Sequence, residues 1–315
     1  MKAILLRNYG DTSNLKIEEV QTPTPQKDEI LVKIQYFSIS PLEIKIRKGE
    51  AKLFVKKKLP MIMGSDFGGE IIEIGEAVGI LSVGDYVIGS VDPFKDNGPY
   101  AEFICVKPER VIKKPIGLDA EMASLCPVSG MSALQVLRDL GKLQAGQQIM
   151  ILGGSGSLGH LAIQLAKKMD AHVTAVSSRK NFPFLKSLGT DEVIDYQKET
   201  VFSKDKKYHV IFDAVNKYRF NEAKKALNEG GIYINSVPSP ALLFQSLFNP
   251  FRNKKIKLLN MKFDIVDLEY VVSELSKANL KLHIEKIYGG LEAIRSATEH
   301  IESERVVGKI GIKIW

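Results

Sequence analysis

Three glycines at fixed spacing are the residues of this sequence that most clearly indicate chemistry. Gly154, Gly156 and Gly159 form G-x-G-x-x-G in the segment IMILGGSGSLGHLAIQLAK, where an apolar strand meets a helix. The first glycine allows a tight turn, the second lets the backbone approach a pyrophosphate, and the third lets helix and strand pack closely. The N–H groups at the start of the helix can then bind the anion. The pattern predicts a dinucleotide-binding site.

The end of the next predicted strand indicates which dinucleotide binds. An NAD site places Asp or Glu there, about 20 residues beyond the motif, to bind the ribose hydroxyls. Counting 19 residues from Gly159 reaches Ser178, and its neighbours are Ser177, Arg179 and Lys180, without a carboxylate. Two hydroxyls and two cations suit a 2′-phosphate, so they predict NADPH rather than NADH. The alternative is that Arg179 and Lys180 simply face solvent after a strand.

Other catalytic arrangements lack their residues. Zinc needs three or four clustered ligands, but the five histidines lie far apart and neither Cys105 nor Cys126 has a cysteine partner nearby. A short-chain reductase needs Tyr four residues before Lys, a spacing that none of the ten tyrosines has, and no G-x-S-x-G nucleophile motif is present. We therefore expect no metal and structural roles for most of the histidines. These are His160, His172, His209, His283 and His300.

Apolar strands alternate with helices through the second half of the chain. Strands that are apolar throughout and separated by helices of about ten residues indicate a parallel sheet covered on both faces. Six such strands match a complete doubly wound domain. The predicted strands are 148–152, 172–176, 192–196, 209–213, 232–236 and 256–261, and the predicted helices between them include HLAIQLAKKM, FPFLKSLG and FNEAKKALNEG.

The first hundred residues have a different pattern. Short apolar strands such as 30–39, 69–75 and 85–91 are separated by Gly and Pro, which is typical of a β-barrel or sandwich. The final strand, GKIGIKIW, alternates Ile with Gly and Lys, so we expect it to be half exposed, to pair antiparallel and to return to the first domain. The predicted fold class is α/β. The domains are a β-rich domain of residues 1–117 and 263–315 and a dinucleotide-binding domain of residues 118–262.

Composition limits the class of protein further. The chain has 315 residues, 44% of them hydrophobic and 26% charged, and a mean hydropathy of -0.05, which exclude a disordered chain and leave no excess of apolar residues for a membrane span. Its net charge is 44 − 37 = +7, but the lysine runs are scattered and predict solvated surface. The start MKAILLRNYG has an apolar run of only four residues, where a signal peptide needs about 7 to 15. We expect a cytoplasmic protein.

Nearly the whole chain resembles the medium-chain dehydrogenase/reductase superfamily, in particular its zinc-free, NADPH-dependent quinone oxidoreductase branch. The resemblance implies a GroES-like β-rich catalytic domain, split in sequence around a Rossmann domain with a doubly wound parallel sheet. The segments that carry it, in family order, are SISPLEIKIRKG, MGSDFGGEIIEIG, VGDYVIG, YAEFICV, LCPVSGMSALQVL, ILGGSGSLGHLAIQLAK, SLGTDEVIDY, YHVIFDAV and GKIGIKI.

The departures from the family pattern also carry information. Zinc alcohol dehydrogenases of the superfamily have a Cys where this chain has ISPLE, and a His-Glu pair where it has Ser65-Asp66. Quinone reductases often have Asn-Pro followed by Asp where this chain has Ser40-Pro41 and Glu43. Enoyl thioester reductases place a Tyr proton donor in a stretch that here reads RKGEAKLFVKKKLP. The resemblance thus agrees with an absence of zinc and disfavours thioester substrates.

The resemblance also implies roles for individual residues. Lys45 and Ser40 belong to a family block that borders the active site, and either is a candidate donor to an oxygen that gains negative charge; a solvated Lys45 is the alternative. Tyr196 is a cofactor candidate or a sheet-edge aromatic. The implied cofactor contacts are Ser155, Gly156, Ser157, Leu158 and Gly159 for the pyrophosphate, Ser177, Ser178, Arg179 and Tyr196 for the 2′-phosphate, Val128 and Ser132 for the nicotinamide side, Ala214, Val215, Ser236 and Val237 at strand ends, and Lys309 near the ribose.

These features together predict hydride transfer from NADPH to a small-molecule quinone or to the β-carbon of an enone, without metal and with the final proton coming from water. The rival hypothesis is a catalytically silent NADPH-binding sensor or an RNA-binding protein of the same fold. Against RNA, the chain has no aromatic-rich basic patch. We expect neither nucleic acid nor membrane as a partner. A homodimer joined through the IKLLNM edge strand is implied by the resemblance.

Overall fold

The chain folds as two units, each with its own sheet and apolar core. The computed structural model describes residues 1–237 and 240–315, of which Met1–Val128 and Phe263–Trp315 form unit 1 and Ser129–Lys262 form unit 2. The strands of the described residues, in chain order, are β1 Lys2–Leu6, β2 Leu15–Glu19, β3 Ile30–Ile39, β4 Met61–Ile62, β5 Asp66–Ile74, β6 Tyr86–Ser90, β7 Phe103–Val106, β8 Val111–Lys113, β9 Gln148–Leu152, β10 His172–Ser177, β11 Glu192–Asp195, β12 Tyr208–Asp213, β13 Leu227–Asn235, β14 Lys255–Leu258, β15 Ile284–Gly289 and β16 Lys309–Lys313. The α-helices of the same residues are α1 Pro41–Lys48, α2 Ala120–Leu125, α3 Pro127–Gln135, α4 Ser157–Lys168, α5 Phe182–Ser187, α6 Phe220–Ala223, α7 Pro240–Ser246, α8 Ile265–Ser276 and α9 Ile294–Glu302.

β3 lies at the centre of the main sheet of unit 1. It reads ILVKIQYFSI and is buried along nearly its whole length. Among the described residues the sheet order is β15-β16-β3-β5-β6-β8, β7 also pairs with β3, and β2-β1-β4 form a separate small sheet. The strand predicted over 30–39 is confirmed. Those predicted over 69–75 and 85–91 are confirmed with shifted ends, as β5 and β6.

The C-terminal strand β16 returns to the sheet of unit 1, as the sequence predicts. It pairs antiparallel with β3, placing Ile310 opposite Ile39, although its other neighbour β15 runs parallel to it. The sequence also predicts a half-exposed strand, but Lys309–Ile312 are all buried. The reason is that Leu125 of α2 covers the sheet at Gly311, where a Cβ would lie 2.7 Å from its side chain.

The sheet of unit 2 is parallel and doubly wound. Its order in the described residues is β11-β10-β9-β12-β13-β14, and every neighbouring pair is parallel. Counted within the unit this is 3-2-1-4-5-6, in which the order reverses between β9 and β12. Ligands bind beyond the carboxyl ends of the strands at such a reversal. The predicted fold class is confirmed.

The region between β12 and β13 differs from the sequence prediction. The sequence predicts a helix over FNEAKKALNEG, but α6 ends at Ala223 and β13 begins at Leu227. Leu227 pairs with Tyr208 of β12 and is fully buried. Sheet pairing and burial therefore override the helical preference of a stretch rich in Ala and Lys. The ends of β11 and β14 also fall short of their predicted ends at 196 and 261.

Candidate active site

The turn from β9 to α4 contains the glycine motif, and its geometry requires glycine at two positions. Gly153 has a left-handed backbone with φ of +77°. A Cβ on Gly159 would lie 2.2 Å from the Gly153 carbonyl oxygen, so the helix packs on the turn only because that Cβ is missing. A Cβ on Gly156 would fit without a clash, since that oxygen would lie 3.5 Å away in ordinary van der Waals contact. The open side of Gly156 is where a pyrophosphate could approach the backbone.

The first turn of α4 presents N–H groups to that open side. Gly156 is the N-cap and provides no side chain to cap the helix. The N–H groups of residues 157–159 have no acceptor within the described residues, since the first helical bond runs from His160 N–H to the Gly156 carbonyl at 3.1 Å. Such N–H groups carry partial positive charge and bind anions. The turn therefore fits the pyrophosphate of a dinucleotide. His160 Nδ1, 2.8 Å from the same carbonyl oxygen, has the structural role that the sequence predicts.

Two predicted cofactor residues, Ser155 and Ser177, are brought together by an asparagine. Their hydroxyl oxygens lie 2.9 Å apart. The Asn181 side-chain NH2 donates to Ser155 Oγ at 2.9 Å and to Ser177 Oγ at 3.0 Å. It lies 3.4 Å from Ser178 Oγ. Sequence reasoning missed Asn181, because an Asn in a turn after a strand is common and nothing in its spacing marks it.

Cationic and aromatic side chains surround this cluster at the carboxyl ends of β10 and β11. Arg179 and Lys180 lie two and three residues beyond the end of β10 and are exposed. Tyr196 directly follows β11, is 50% exposed, and its N–H donates to the Ser177 carbonyl at 3.4 Å. The structure therefore places the candidates for the 2′-phosphate in one region. Their contact with a cofactor stays a prediction.

Asp213, which sequence reasoning also missed, organises the loop after β12. Its carboxylate accepts the N–H groups of Val215 at 3.0 Å and Asn216 at 2.7 Å, and the Tyr233 hydroxyl at 2.7 Å. Burial raises the pKa of Asp213, and these hydrogen bonds oppose that shift. The loop it shapes contains the predicted cofactor residues Ala214 and Val215.

Asn216 extends this network to the loop after β13. Its side chain donates to Ser236 Oγ at 3.0 Å and accepts the Val237 N–H at 2.9 Å. Ser132 lies buried on α3, and on the same helix Ser129 Oγ lies 2.8 Å from Ser157 Oγ of the glycine turn. The candidates of unit 2 thus lie on α3 and at the carboxyl side of its strands, held by side chains outside the glycine motif.

In unit 1 a predicted cofactor residue, Lys309, belongs to a buried ion pair. Lys309 Nζ lies 2.9 Å from Asp66 Oδ2 and 3.2 Å from Ser38 Oγ, and both charged side chains are 1% exposed. Ser38 donates to the same carboxylate oxygen at 2.8 Å, and the Val128 N–H donates to Asp66 Oδ1 at 2.7 Å. The resemblance places Lys309 near the cofactor ribose. In the structure its ammonium pairs with Asp66, and a part in cofactor binding stays a prediction.

The two candidate catalytic residues lie on α1 and at its start. Ser40 is the N-cap of α1 and forms a capping box with Glu43. Glu43 is buried, and Ser65 donates to its Oε1 at 2.6 Å. Burial raises the pKa of Glu43, and the bonds from Ser40 and Ser65 oppose the shift. Lys45 is half-buried, and within the described chain its ammonium makes no hydrogen bond or ion pair.

Within residues 1–237 and 240–315, no three His, Cys, Asp or Glu side chains form a group that could hold a metal ion. Across those same ranges, each helix is too short or too polar to cross a bilayer.

Comparisons with known proteins agree with this architecture. Residues 26–116 match the family of alcohol dehydrogenase GroES-like domains, and residues 188–310 match the zinc-binding dehydrogenase family. The chain is 31% identical to a chloroplastic quinone-oxidoreductase homolog of Spinacia oleracea, covering 99% of this chain and 98% of the relative. It is 33% identical to a chloroplastic NADPH-dependent alkenal/one oxidoreductase of Arabidopsis thaliana, over 73% of this chain and 61% of the relative. The solved structure of the quinone oxidoreductase from Coxiella burnetii superposes with a TM-score of 0.93 at 30% identity, covering 100% of this chain and 99% of that one.

A GroES-like β-rich unit and a doubly wound sheet with an open glycine turn define a dehydrogenase/reductase of the nicotinamide-dependent class. The chain belongs to the medium-chain dehydrogenase/reductase superfamily, in its quinone oxidoreductase-like branch.

Proposed function

We propose that this oxidoreductase uses NADPH to reduce quinones or α,β-unsaturated carbonyl compounds without zinc. The observation that carries the cofactor choice is the hydrogen-bond pattern at the end of β10. Asn181 donates to Ser155 and Ser177, and one serine donates to the other, so one hydroxyl hydrogen is left for an acceptor outside the cluster. A phosphate oxygen is such an acceptor, and Arg179 adds positive charge next to it. The names of the spinach and Arabidopsis relatives support the acceptor class.

Bound NADPH would supply a hydride, and the acceptor would take that hydride and a proton from water, so that a quinone becomes a quinol and an enone a saturated ketone. The residues of this chain have three tasks. The glycine turn and the start of α4 bind the pyrophosphate. The loops held by Asp213 and Asn216 shape the surface beside it. Ser40 or Lys45 donates to the acceptor oxygen as it gains negative charge.

Independence from zinc is supported by what replaces the ligands of the zinc enzymes. Where those enzymes have a His-Glu pair, this chain has Ser65 and Asp66. The Asp66 carboxylate accepts from Lys309, Ser38 and the Val128 N–H. The Ser65 hydroxyl donates to Glu43. A cation at this carboxylate would have to displace the ammonium of Lys309.

A panel of quinones, enones and enals, each assayed with NADPH and with NADH, tests the cofactor and the acceptor class together. We expect oxidation of NADPH with at least one acceptor class, slower oxidation of NADH, and no loss of rate after treatment with a chelator. A clear NADH preference would contradict the phosphate argument, and zinc in a 1:1 ratio to protein would contradict the zinc-free mechanism. NADPH binding without turnover of any acceptor would favour a sensor.

We propose a homodimer that acts on small molecules, with neither nucleic acid nor membrane as partner. The cytoplasmic location also stays a prediction, since the spinach and Arabidopsis relatives are named as chloroplastic. Fractionation of the source cells, followed by detection of this chain in the soluble and membrane fractions, tests it.

A further inference from the structure

We propose that Ser40 donates a hydrogen bond to the acceptor oxygen only while Glu43 carries a proton, so that Glu43 is a positioning residue that limits activity at high pH. The inference rests on the proposed function and adds to it a residue and a pH dependence. Its basis is the hydrogen-bond geometry at the start of α1.

The Glu43 side chain has three hydrogen-bond contacts, two with Ser40 and one with Ser65. Ser40 N–H donates to Glu43 Oε2 at 2.9 Å, and Ser40 Oγ forms a short hydrogen bond with the same oxygen. Ser65 Oγ donates to Glu43 Oε1 at 2.6 Å. Glu43 and Ser65 are 2% and 3% exposed, whereas Ser40 is partly exposed. Ser40 is therefore the member of this group that a ligand can reach.

A count of hydrogen-bond donors and acceptors shows which carboxyl oxygen of a neutral Glu43 carries the proton. The Ser65 hydroxyl has no acceptor other than Oε1 within the described residues, so it donates there, and an acid hydrogen on Oε1 would find no acceptor of its own. The acid hydrogen then lies on Oε2, which can still accept the Ser40 N–H, and is donated to Ser40 Oγ, which also accepts the Leu42 N–H at 3.3 Å. With both acceptor positions of Ser40 Oγ filled, its own hydrogen points away from Glu43.

An ionised Glu43 reverses this arrangement. Oε2 is then an acceptor only, and the short contact requires the Ser40 hydroxyl to donate to it. Ser40 has one hydroxyl hydrogen, so none is left for a ligand. The protonation state of a buried carboxyl group thus decides whether a partly exposed hydroxyl is a donor.

Burial and the neighbouring Asp66 carboxylate favour the neutral form of Glu43. Burial has the largest effect on the pKa of Glu43 and raises it, Asp66 of β5 also raises it, and Lys309 of β16 lowers it. The Lys309 ammonium lies 2.9 Å from Asp66 Oδ2, so its charge is already matched by another carboxylate. Burial, and after it the Glu43 and Asp66 carboxylates, raise the pKa of the Tyr100 hydroxyl, so that group stays neutral. A neutral Glu43 leaves the buried group with balanced charge.

The test compares pH profiles of kcat for the wild type, E43Q, S40A and S40T, with an acceptor found in the panel. The wild-type kcat should fall at high pH, as Glu43 ionises. E43Q should lose that fall, because its amide NH2 can donate to Ser40 Oγ at every pH. S40A should lower kcat about 100-fold, the effect of removing one donor to a developing oxyanion, and S40T, which keeps the hydroxyl, should recover most of it.

Controls separate this role from helix capping and from the proposed function. D264A removes the side-chain cap of α8 in the same unit and should leave kcat unchanged. The infrared difference between wild type and E43Q at neutral pH should contain the C=O stretch of a protonated carboxyl group. A missing band, or an E43Q profile with the wild-type fall, overturns the inference. If the wild type reduces no acceptor, the proposed function fails, and the donor role of Ser40 fails with it. The infrared band does not depend on turnover. Its presence would then support the proton assigned to Glu43, whereas its absence would show that the hydrogen count is wrong.

Discussion

Asn181 determines where the hydroxyl hydrogens of Ser155 and Ser177 can point. Because its NH2 group occupies an acceptor position on each oxygen, the pair is left with one donor to offer a ligand. None of these three residues selects an anion by itself. The preference for an anion arises because the cluster as a whole has one hydrogen-bond donor more than its own acceptors can use.

Replacing this amide with a carboxylate should weaken selection for NADPH. In N181D the two serine hydroxyls would donate to the new carboxylate, whose charge would also repel a 2′-phosphate. We expect the ratio of kcat/KM for NADPH to that for NADH to fall at least about tenfold, or ~1.4 kcal/mol. N181A, which removes the donors without adding charge, should have a smaller effect. As a control, N253D adds the same charge just before β14, at the opposite edge of the sheet, and should leave the ratio unchanged. An unchanged ratio in N181D would contradict the donor count.

The pair of Asp66 and Lys309 should matter strongly for stability. D66N leaves a fully buried ammonium without its counter-ion, and breaking a buried pair in this way costs about 3 to 5 kcal/mol. We expect the free energy of unfolding, measured by urea denaturation, to fall by that order. The double variant D66N/K309M removes both charges and should recover much of the loss. If D66N and the double variant are equally destabilised, the pair is not the reason.

The sequence reveals a site residue when its position follows from nearby elements, and not when its contacts are distant in the chain. Ser177 and Ser178 are found by counting from the glycine motif, since only one helix and one strand separate the motif from these serines in the sequence. Asn181 bonds to Ser155, 26 positions away, through a turn whose path the sequence does not specify. Glu43 is marked only as a departure from the family pattern, because its burial depends on packing between α1 and distant segments.

The strand–turn–helix of β9 and α4 has two glycines with opposite requirements. Gly159 has no room for a side chain, because a Cβ would lie 2.2 Å from a backbone oxygen. Gly156 has room, and its backbone (φ −79°, ψ 178°) is one that any residue adopts. Folding requires glycine at position 159, whereas our proposal places a pyrophosphate in the space beside Gly156.

Two alanine substitutions should therefore separate folding from binding. G159A should lower the melting temperature clearly, since the helix must move off the turn. G156A should melt at or slightly above the wild-type temperature, because replacing Gly at a compatible position restricts the unfolded chain. G156A should nevertheless bind NADPH at least about tenfold more weakly by fluorescence titration, or ~1.4 kcal/mol. Unchanged binding in G156A would contradict the placement of the pyrophosphate.

At the level of elements, the sequence predicts the parallel sheet well because its central strands β9, β10 and β12 are almost entirely buried and rich in apolar residues. β9, with Gln148–Leu152, matches the prediction at both ends. The start of β13 could not be found in this way. Leu227 continues a helical pattern in the sequence, and only its pairing with Tyr208 makes it part of a strand.

On the scale of the whole molecule, one edge of the unit 2 sheet has the features of an interface. β14 is the last strand of that sheet in the described residues. The Asn249 side chain bonds to Ile256 of β14 at both its N–H and its carbonyl, holding the preceding turn against the strand. Large exposed apolar side chains on α7 and this turn are Leu243, Phe244, Leu247, Phe248 and Phe251. A second copy related by a two-fold axis could cover them.

Charges placed on this surface should separate the proposed dimer. We expect sedimentation equilibrium to give about twice the chain mass of 35.0 kDa for the wild type and the single-chain mass for L247E/F251E. Leu247 and Phe251 are 70% and 87% exposed, so the change should not disturb the core. I116E adds charge at a fully exposed isoleucine of unit 1 and should remain dimeric. A monomeric wild type would refute the proposal.

The return of β16 to the sheet of unit 1 affects the order in which the protein can form during translation. All of unit 2 leaves the ribosome before β16 does, and domains generally fold as they emerge. The sheet around β3, by contrast, stays incomplete until β16 has been made, and Asp66 has no counter-ion until Lys309 is made. A nascent chain stalled just before residue 309 should therefore hold a folded unit 2 and an unfinished unit 1. The strand β16, which is made after all of unit 2, closes the sheet and neutralises the charge within it.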